Sequence, residues 1–76
     1  MGRFPSVTGK EMVKFLQRQR FVLRRVVGSH HVMRKSADVQ TVVPVHGNDN
    51  LRIGTLRGIL RDIHMKPEEF EKLWRS

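Results

Sequence analysis

Two adjacent histidines follow a short turn in the tetrapeptide Gly28-Ser29-His30-His31. Histidine is the only side chain whose ordinary pKa, about 6.5, lets it accept and donate protons near neutral pH. An imidazole beside a phosphodiester can support RNA cleavage without a metal ion, because the 2′-hydroxyl of the RNA is itself the nucleophile and only protons must be moved. The tetrapeptide therefore raises RNA cleavage as its most specific hypothesis.

Strand alternation limits how these two histidines can act. Successive side chains of a β-strand point to opposite faces, so His30 and His31 cannot both contact one phosphate unless the turn distorts the strand. Each histidine shares its parity with one apolar and one basic residue, so alternation does not choose between them. We expect one histidine to be catalytic and the other to be structural.

Basic residues surround the histidines. The chain has 15 Lys and Arg against 7 Asp and Glu, a formal net charge of +8, and no acidic residue lies between Phe15 and Ala37. Such a charge favours polyanions through counterion release, and guanidinium groups bind phosphate bidentately. A solvated basic face is the simpler interpretation, but the basic block brackets the histidines. The candidate RNA-binding residues are Lys10, Arg24, Arg25, Gly28, Ser29, Arg34 and Lys35.

Other chemistries have weaker support in the sequence. The absence of cysteine excludes disulfides and thiolate zinc sites. Ser29 beside His30 is mere sequence adjacency, which does not predict a catalytic triad. The remaining potential metal ligands have no helical spacing typical of a metal site, so we expect neither a metal nor a small-molecule cofactor. These potential ligands are His30, His31, His46, His64, Asp38 and Asp49.

Length and hydropathy bound the class of protein. A chain of 76 residues predicts a single domain over residues 1–76. No apolar run approaches the roughly 20 residues that a membrane span needs, and the N-terminal residues lack the apolar region of a secretory signal. We therefore expect a cytoplasmic protein that does not enter membranes.

The histidine turn is predicted to join two strands of a small sheet. Segments rich in β-branched and aromatic residues predict strands over 21–27, 30–35 and 39–45. Gly28-Ser29 forms the turn between the first two strands, and residues 36–38 form the next turn. The strands are consecutive and closely spaced, which predicts a three-stranded antiparallel meander.

Helices are predicted on both sides of these strands. Thr8 and Glu11 have the spacing of a capping box, which begins a helix over 9–19. Apolar residues at helical spacing predict a second helix over 53–63, and Pro67 begins a short last helix. The fold class is therefore α+β in the order α-β-β-β-α-α, with the helices on one face of the sheet. The apolar positions of the second helix are Leu56, Ile59, Leu60 and Ile63.

Four segments of the chain, in order, resemble HicA toxins, which are small mRNA interferases of bacterial and archaeal toxin–antitoxin modules. The resemblance extends over residues 8–73. It implies a fold like the double-stranded RNA-binding domain and metal-free, translation-independent mRNA cleavage that depends on the motif histidine. It also implies neutralisation by a HicB antitoxin that covers the histidine. The segments are Thr8-Gly9-Lys10-Glu11, Gly28-Ser29-His30-His31, residues 42–47 and residues 51–60, the last containing Gly54-Thr55-Leu56-Arg57.

Within this resemblance His30, directly after Gly-Ser, is the first catalytic candidate. His31 is the second, because some members have Gly-Ser-Asn-His. The sequence departs from the family pattern at Arg20 and at His64-Met65, where glycine is usual at a helix end. A non-glycine residue that keeps the left-handed conformation there costs about 1 kcal/mol.

Two other classes of function compete with the ribonuclease. A non-catalytic RNA-binding module needs only the basic patch, because double-stranded RNA is recognised by its shape, phosphates and 2′-hydroxyls. A protein-interaction subunit would use its positive face to pair with an acidic antitoxin. The ribonuclease is favoured, since Gly28-Ser29 and a titratable histidine are more than a passive binder needs.

Overall fold

The sheet at the centre of the protein has three antiparallel strands. The computed structural model describes residues 4–76. Within them β1 is Val22–Val27, β2 is His30–Ser36 and β3 is Val39–Pro44, in the spatial order β1-β2-β3. The meander predicted from the sequence is confirmed.

The turn between β1 and β2 consists of Gly28 and Ser29, as predicted. Gly28 has a φ of +58°, whereas Ser29 has no positive φ. A positive φ at the first central residue only is the pattern of a type II′ turn, whose twist matches that of the adjoining strands. Glycine at position 28 therefore fixes the register that brings His30 opposite Val27.

Three helices complete the fold: α1 is Gly9–Arg18, α2 is Ile53–Asp62 and α3 is Pro67–Trp74. The capping box is formed, with the Thr8 backbone N–H 2.9 Å from Glu11 Oε1 and the Glu11 N–H 3.1 Å from Thr8 Oγ1. The order α-β-β-β-α-α and the α+β class are thus confirmed.

The helices cover one face of the sheet, called the inner face, and side chains of this face form part of the core. Met33, Thr41 and Val43 are buried on this inner face. The Thr41 hydroxyl donates a hydrogen bond of 2.9 Å to Asp62 Oδ2, which ties β3 to the end of α2. Apolar residues of the three helices, together with the C-cap residue of α2, complete the core: Met12, Phe15, Leu16, Leu56, Ile59, Leu60, Ile63 and Phe70.

Both long helices end where the sequence departs from the family's glycines. Arg20 and His64 have positive φ values of +73° and +58°. After α1, the Phe21 N–H bonds the Leu16 carbonyl and the Arg20 N–H bonds that of Gln17, at 2.9 and 3.0 Å. This is a Schellman ending, and the same pattern follows α2. Both residues therefore keep the left-handed conformation that glycine would adopt at these helix ends.

Element ends differ from the predicted ones by a residue. Gln19 and Ile63 are C-caps, so α1 and α2 each end one residue earlier than predicted. Phe21 and Val45 lie just outside the strands that were expected to include them. Phe21 instead closes the helix ending, because its N–H bonds Leu16.

The helices of the described chain are short. Within residues 4–76, none is long and apolar enough to cross a membrane. The first three residues, part of the N-terminal segment expected to lack a secretory signal, lie outside the described residues.

Candidate active site

The sheet surface away from the helices, called the outer face below, carries three cross-strand rows. Its residues are exposed or half-buried, whereas Met33, Thr41 and Val43 of the inner face are buried. The outer face is therefore open to a ligand. Its rows are Val27-His30-Pro44, Arg25-Val32-Val42 and Val22-Arg34-Gln40.

The two histidines lie on opposite faces, as strand alternation predicts. His30 is exposed on the outer face, beside the turn. His31 is half-buried and is paired with Val26 and the buried Val43. The structure thus separates the two candidates that the sequence left adjacent, and only His30 shares a face with arginines.

His31 contacts the turn from the inner face. Its Nδ1 lies 3.3 Å from the carbonyl oxygen of Ser29. A carbonyl oxygen can only accept, so Nδ1 carries the proton in this contact. The same carbonyl accepts a hydrogen bond of 2.7 Å from the Val45 N–H. His31 therefore helps to hold the turn against the end of β3.

A third histidine reaches the turn from the other side. His46 Nε2 lies 3.4 Å from the Ser29 hydroxyl oxygen. The sequence indicates His46 only as a possible metal ligand. The strand register could have found it, because antiparallel pairing of His30 with Pro44 brings residues beyond Pro44 beside the turn.

All three arginines that were predicted to bind RNA come together on the outer face. Arg24, Arg25 and Arg34, with Val32 and Gln40, line a shallow cleft of about 400 Å³. A β-bulge between Leu23 and Arg25 turns β1 at this point. The Arg34 Nε donates a hydrogen bond of 3.1 Å to the Ser36 carbonyl, which holds this side chain along the strand. The cleft is a concentrated positive site.

The two predicted lysines are not part of this cluster. The Lys35 ammonium lies 5.8 Å from the ring centre of Phe21, in a cation–π contact beside the core. Lys10 is exposed in the first turn of α1. It follows Gly9, which packs directly on Pro44 and Val45. Lys10 is thus near the end of β3, whereas Lys35 is at the far end of β2.

A second cleft, of about 360 Å³, lies beside His46 between the end of β3 and the start of α2. Asp49, Arg52 and Thr55 are among its lining residues. Within residues 4–76, no three histidine, aspartate or glutamate side chains are close enough together to hold a metal ion. The side chains that line this cleft include the imidazole of His46, the guanidinium group of Arg52 and the carboxylate of Asp49.

Fold and site together define a small, basic α+β domain with an exposed histidine beside an arginine-lined sheet face. A family model described as "HicA toxin of bacterial toxin-antitoxin" matches residues 9–65, well over half of the 76-residue chain. The protein belongs to the HicA toxin family, as its sequence motifs indicated. Membership makes it the toxin of a toxin–antitoxin module and implies an antitoxin partner. No curated protein matches the chain.

Proposed function

We propose that this protein is a metal-independent endoribonuclease that cleaves mRNA, with His30 as a proton-transfer group, and that a HicB-type antitoxin neutralises it. The observation that carries the proposal is the position of His30. It is an exposed imidazole on the outer face, in the strand that also carries Arg34. A general acid or base must reach the proton it moves, and an exposed imidazole can do so.

The arginine cleft supports binding of an RNA strand along β2. His30 and Arg34 are four residues apart on one face, a distance of about 13 Å at 3.3 Å per residue. An RNA strand bound at the arginines can therefore extend to His30. Arginine suits this role, because its planar group makes two parallel hydrogen bonds to one phosphate.

Exposed valines on the same face support neutralisation by a protein that covers the histidine. Val22, Val27 and Val42 are 56%, 58% and 42% exposed, and they share the cross-strand rows of His30 and the arginines. Apolar surface of this kind, bordered by charge, is typical of protein interfaces. A HicB-type antitoxin with acidic residues around an apolar centre would match both features.

The proposal is tested by incubating the purified protein with a structured mRNA in EDTA. We expect fragments with 2′,3′-cyclic phosphate and 5′-hydroxyl ends from the wild type. The same RNA with 2′-O-methyl groups should be bound and left intact, because the nucleophile is blocked.

The control variant is His64→Asn. His64 lies at the end of α2, outside the proposed site, and asparagine tolerates its positive φ. This variant should cleave like the wild type. RNA that stays intact with the wild type but shifts on a native gel would contradict catalysis and favour the non-catalytic RNA-binding module.

A further inference from the structure

Cleavage of RNA by its own 2′-hydroxyl requires two proton transfers. The 2′-oxygen bonds to phosphorus and gives its proton to a base, while the P–O5′ bond breaks and the 5′-oxygen takes a proton from an acid. The products are a 2′,3′-cyclic phosphate and a 5′-hydroxyl, so the atoms balance without any co-reactant. His30 can serve one transfer. His31 cannot serve the other on the same phosphate, because it faces the core.

We propose that His46 is the second proton-transfer group of this site and that the Ser29 hydroxyl positions it. This role depends on the proposed ribonuclease function and completes it with a second imidazole. The observation that carries it is the contact of 3.4 Å between Ser29 Oγ and His46 Nε2, which brings His46 to the residue preceding His30.

Alternation along β3 puts His46 on the face of His30. Val43 is buried on the inner face, and Pro44 on the outer face is paired with His30. Val45 packs against the core, so the next residue, His46, again points outward. The bond from the Val45 N–H to the Ser29 carbonyl continues the pairing past the formal end of β3.

The spacing of the two imidazoles suits one phosphate between them. His46 is the diagonal neighbour of His30, two residues beyond its cross-strand partner Pro44. Diagonal neighbours in a sheet are about 7–8 Å apart, within reach of long or aromatic side chains. Both rings can therefore approach the two oxygens that flank one phosphorus atom.

The surroundings of His46 also suit a strand of RNA. His46 lines the cleft of about 360 Å³, which is within the size range of small-ligand pockets and can take one nucleoside. Two charged groups, Asp49 and Arg52, line the same cleft as His46. The Arg52 guanidinium favours a phosphate in this cleft, next to the imidazole.

The test compares two matched asparagine variants, His46→Asn and His64→Asn, on one oligoribonucleotide in EDTA. Asparagine at position 46 can still bond the Ser29 hydroxyl but cannot exchange a proton near neutral pH. We expect kcat/KM to fall about 100-fold or more in His46→Asn, the usual contribution of one acid or base. Affinity for the 2′-O-methyl RNA should be retained, and His64→Asn should match the wild type.

The pH profile separates a proton-transfer role from a structural one. One imidazole must be neutral and the other protonated, so the wild type should have a bell-shaped dependence of kcat/KM on pH. Each of His30→Asn and His46→Asn should lose one limb of the bell. A uniformly lowered profile that keeps both limbs in His46→Asn would overturn the proposal, as would an equal loss of cleavage and of RNA affinity.

The outcomes also separate this role from the ribonuclease function itself. If the wild type cleaves, His30→Asn cleaves far more slowly and His46→Asn is fully active, the role of His46 is wrong and the ribonuclease stands. If the wild type does not cleave, both are wrong.

The positioning role of Ser29 is tested by a double-mutant cycle. Ser29→Ala should lower kcat/KM, and Ser29→Thr should restore it, because threonine keeps the hydroxyl. In the His46→Asn background Ser29→Ala should have little further effect, since the group that it positions no longer transfers protons. Additive losses would contradict this role.

Discussion

At the scale of single residues, neighbours in sequence have different surroundings. His30 is exposed between Val27 and Pro44, whereas His31 is half-buried and contacts the Ser29 carbonyl. Removing His31 leaves a gap beside Val43 and frees one contact of the turn. We expect His31→Ala to lower the free energy of unfolding by about 1 kcal/mol, as for a typical partly buried site. Thermal unfolding measures this change in stability, with His30→Ala as the control. An unchanged stability of His31→Ala would contradict the prediction.

The sequence identifies His30 and His31 as candidates but does not predict the contact between His46 and Ser29. The Gly-Ser turn and the alternation of the strand are local patterns, so residues 28–35 alone predict them. His46 lies 17 residues from Ser29, and its contact depends on the register between β2 and β3. Register is set by long-range packing, which residue types alone did not specify here.

At the scale of elements, the helix ends hold local strain. Arg20 has a φ of +73°, where glycine has no steric cost. We expect Arg20→Gly to stabilise the protein by about 1 kcal/mol, which raises Tm by roughly 4–8 °C in a domain of this size. Arg18→Gly, inside the last turn of α1, is the control and should lower stability. A lower Tm in Arg20→Gly would contradict this explanation.

The start of α1 requires glycine for a different reason. A Cβ at Gly9 would meet the Pro44 carbonyl oxygen and lie 2.9 Å from the Val45 Cα, both backbone atoms. We expect Gly9→Ala to cost about 1–3 kcal/mol, the usual effect of overpacking. Gly58→Ala in α2 is the matched control: it meets nothing within 4 Å. It should stabilise the helix by about 0.5–1 kcal/mol. Chemical denaturation of both variants should show a lower free energy of unfolding for Gly9→Ala and a higher one for Gly58→Ala.

Most elements could be predicted because each has local signals. The capping box at Thr8 and the proline at position 67 begin helices that the structure contains. The close approach of Gly9 to β3 has no such signal, since Pro44 is 35 positions away. The hydrogen bond between Thr41 and Asp62 could not be predicted for the same reason, because these residues are 21 positions apart.

At the scale of the whole molecule, the formal charge of +8 predicts that the proposed RNA binding weakens as salt rises. Arg25 belongs to the outer-face cleft, whereas Lys35 lies against Phe21. We expect Arg25→Ala to weaken binding of 2′-O-methyl RNA and to lower the slope of log K against log salt by about 1. Lys35→Ala should change that slope less. Equal slopes for the two variants would contradict binding on the outer face.

The proposed binding sites for RNA and for the antitoxin share the outer face, so the two ligands should not bind at the same time. We expect a HicB-type antitoxin to compete with 2′-O-methyl RNA for the protein. Val27→Asp should weaken binding of the antitoxin, because the substitution adds a charge to an apolar part of the outer face beside His30. Simultaneous binding of both ligands, observed in a fluorescence competition titration, would contradict a shared face.

The proposed ribonuclease function requires His30 to move a proton during cleavage of RNA. The most direct measurement is the initial rate of cleavage of one RNA in EDTA by the wild type, His30→Ala and His31→Ala, each shown to be folded at the assay temperature. We expect cleavage by the wild type, none by His30→Ala and substantial cleavage by His31→Ala. Full activity of His30→Ala, with loss in His31→Ala, would contradict it.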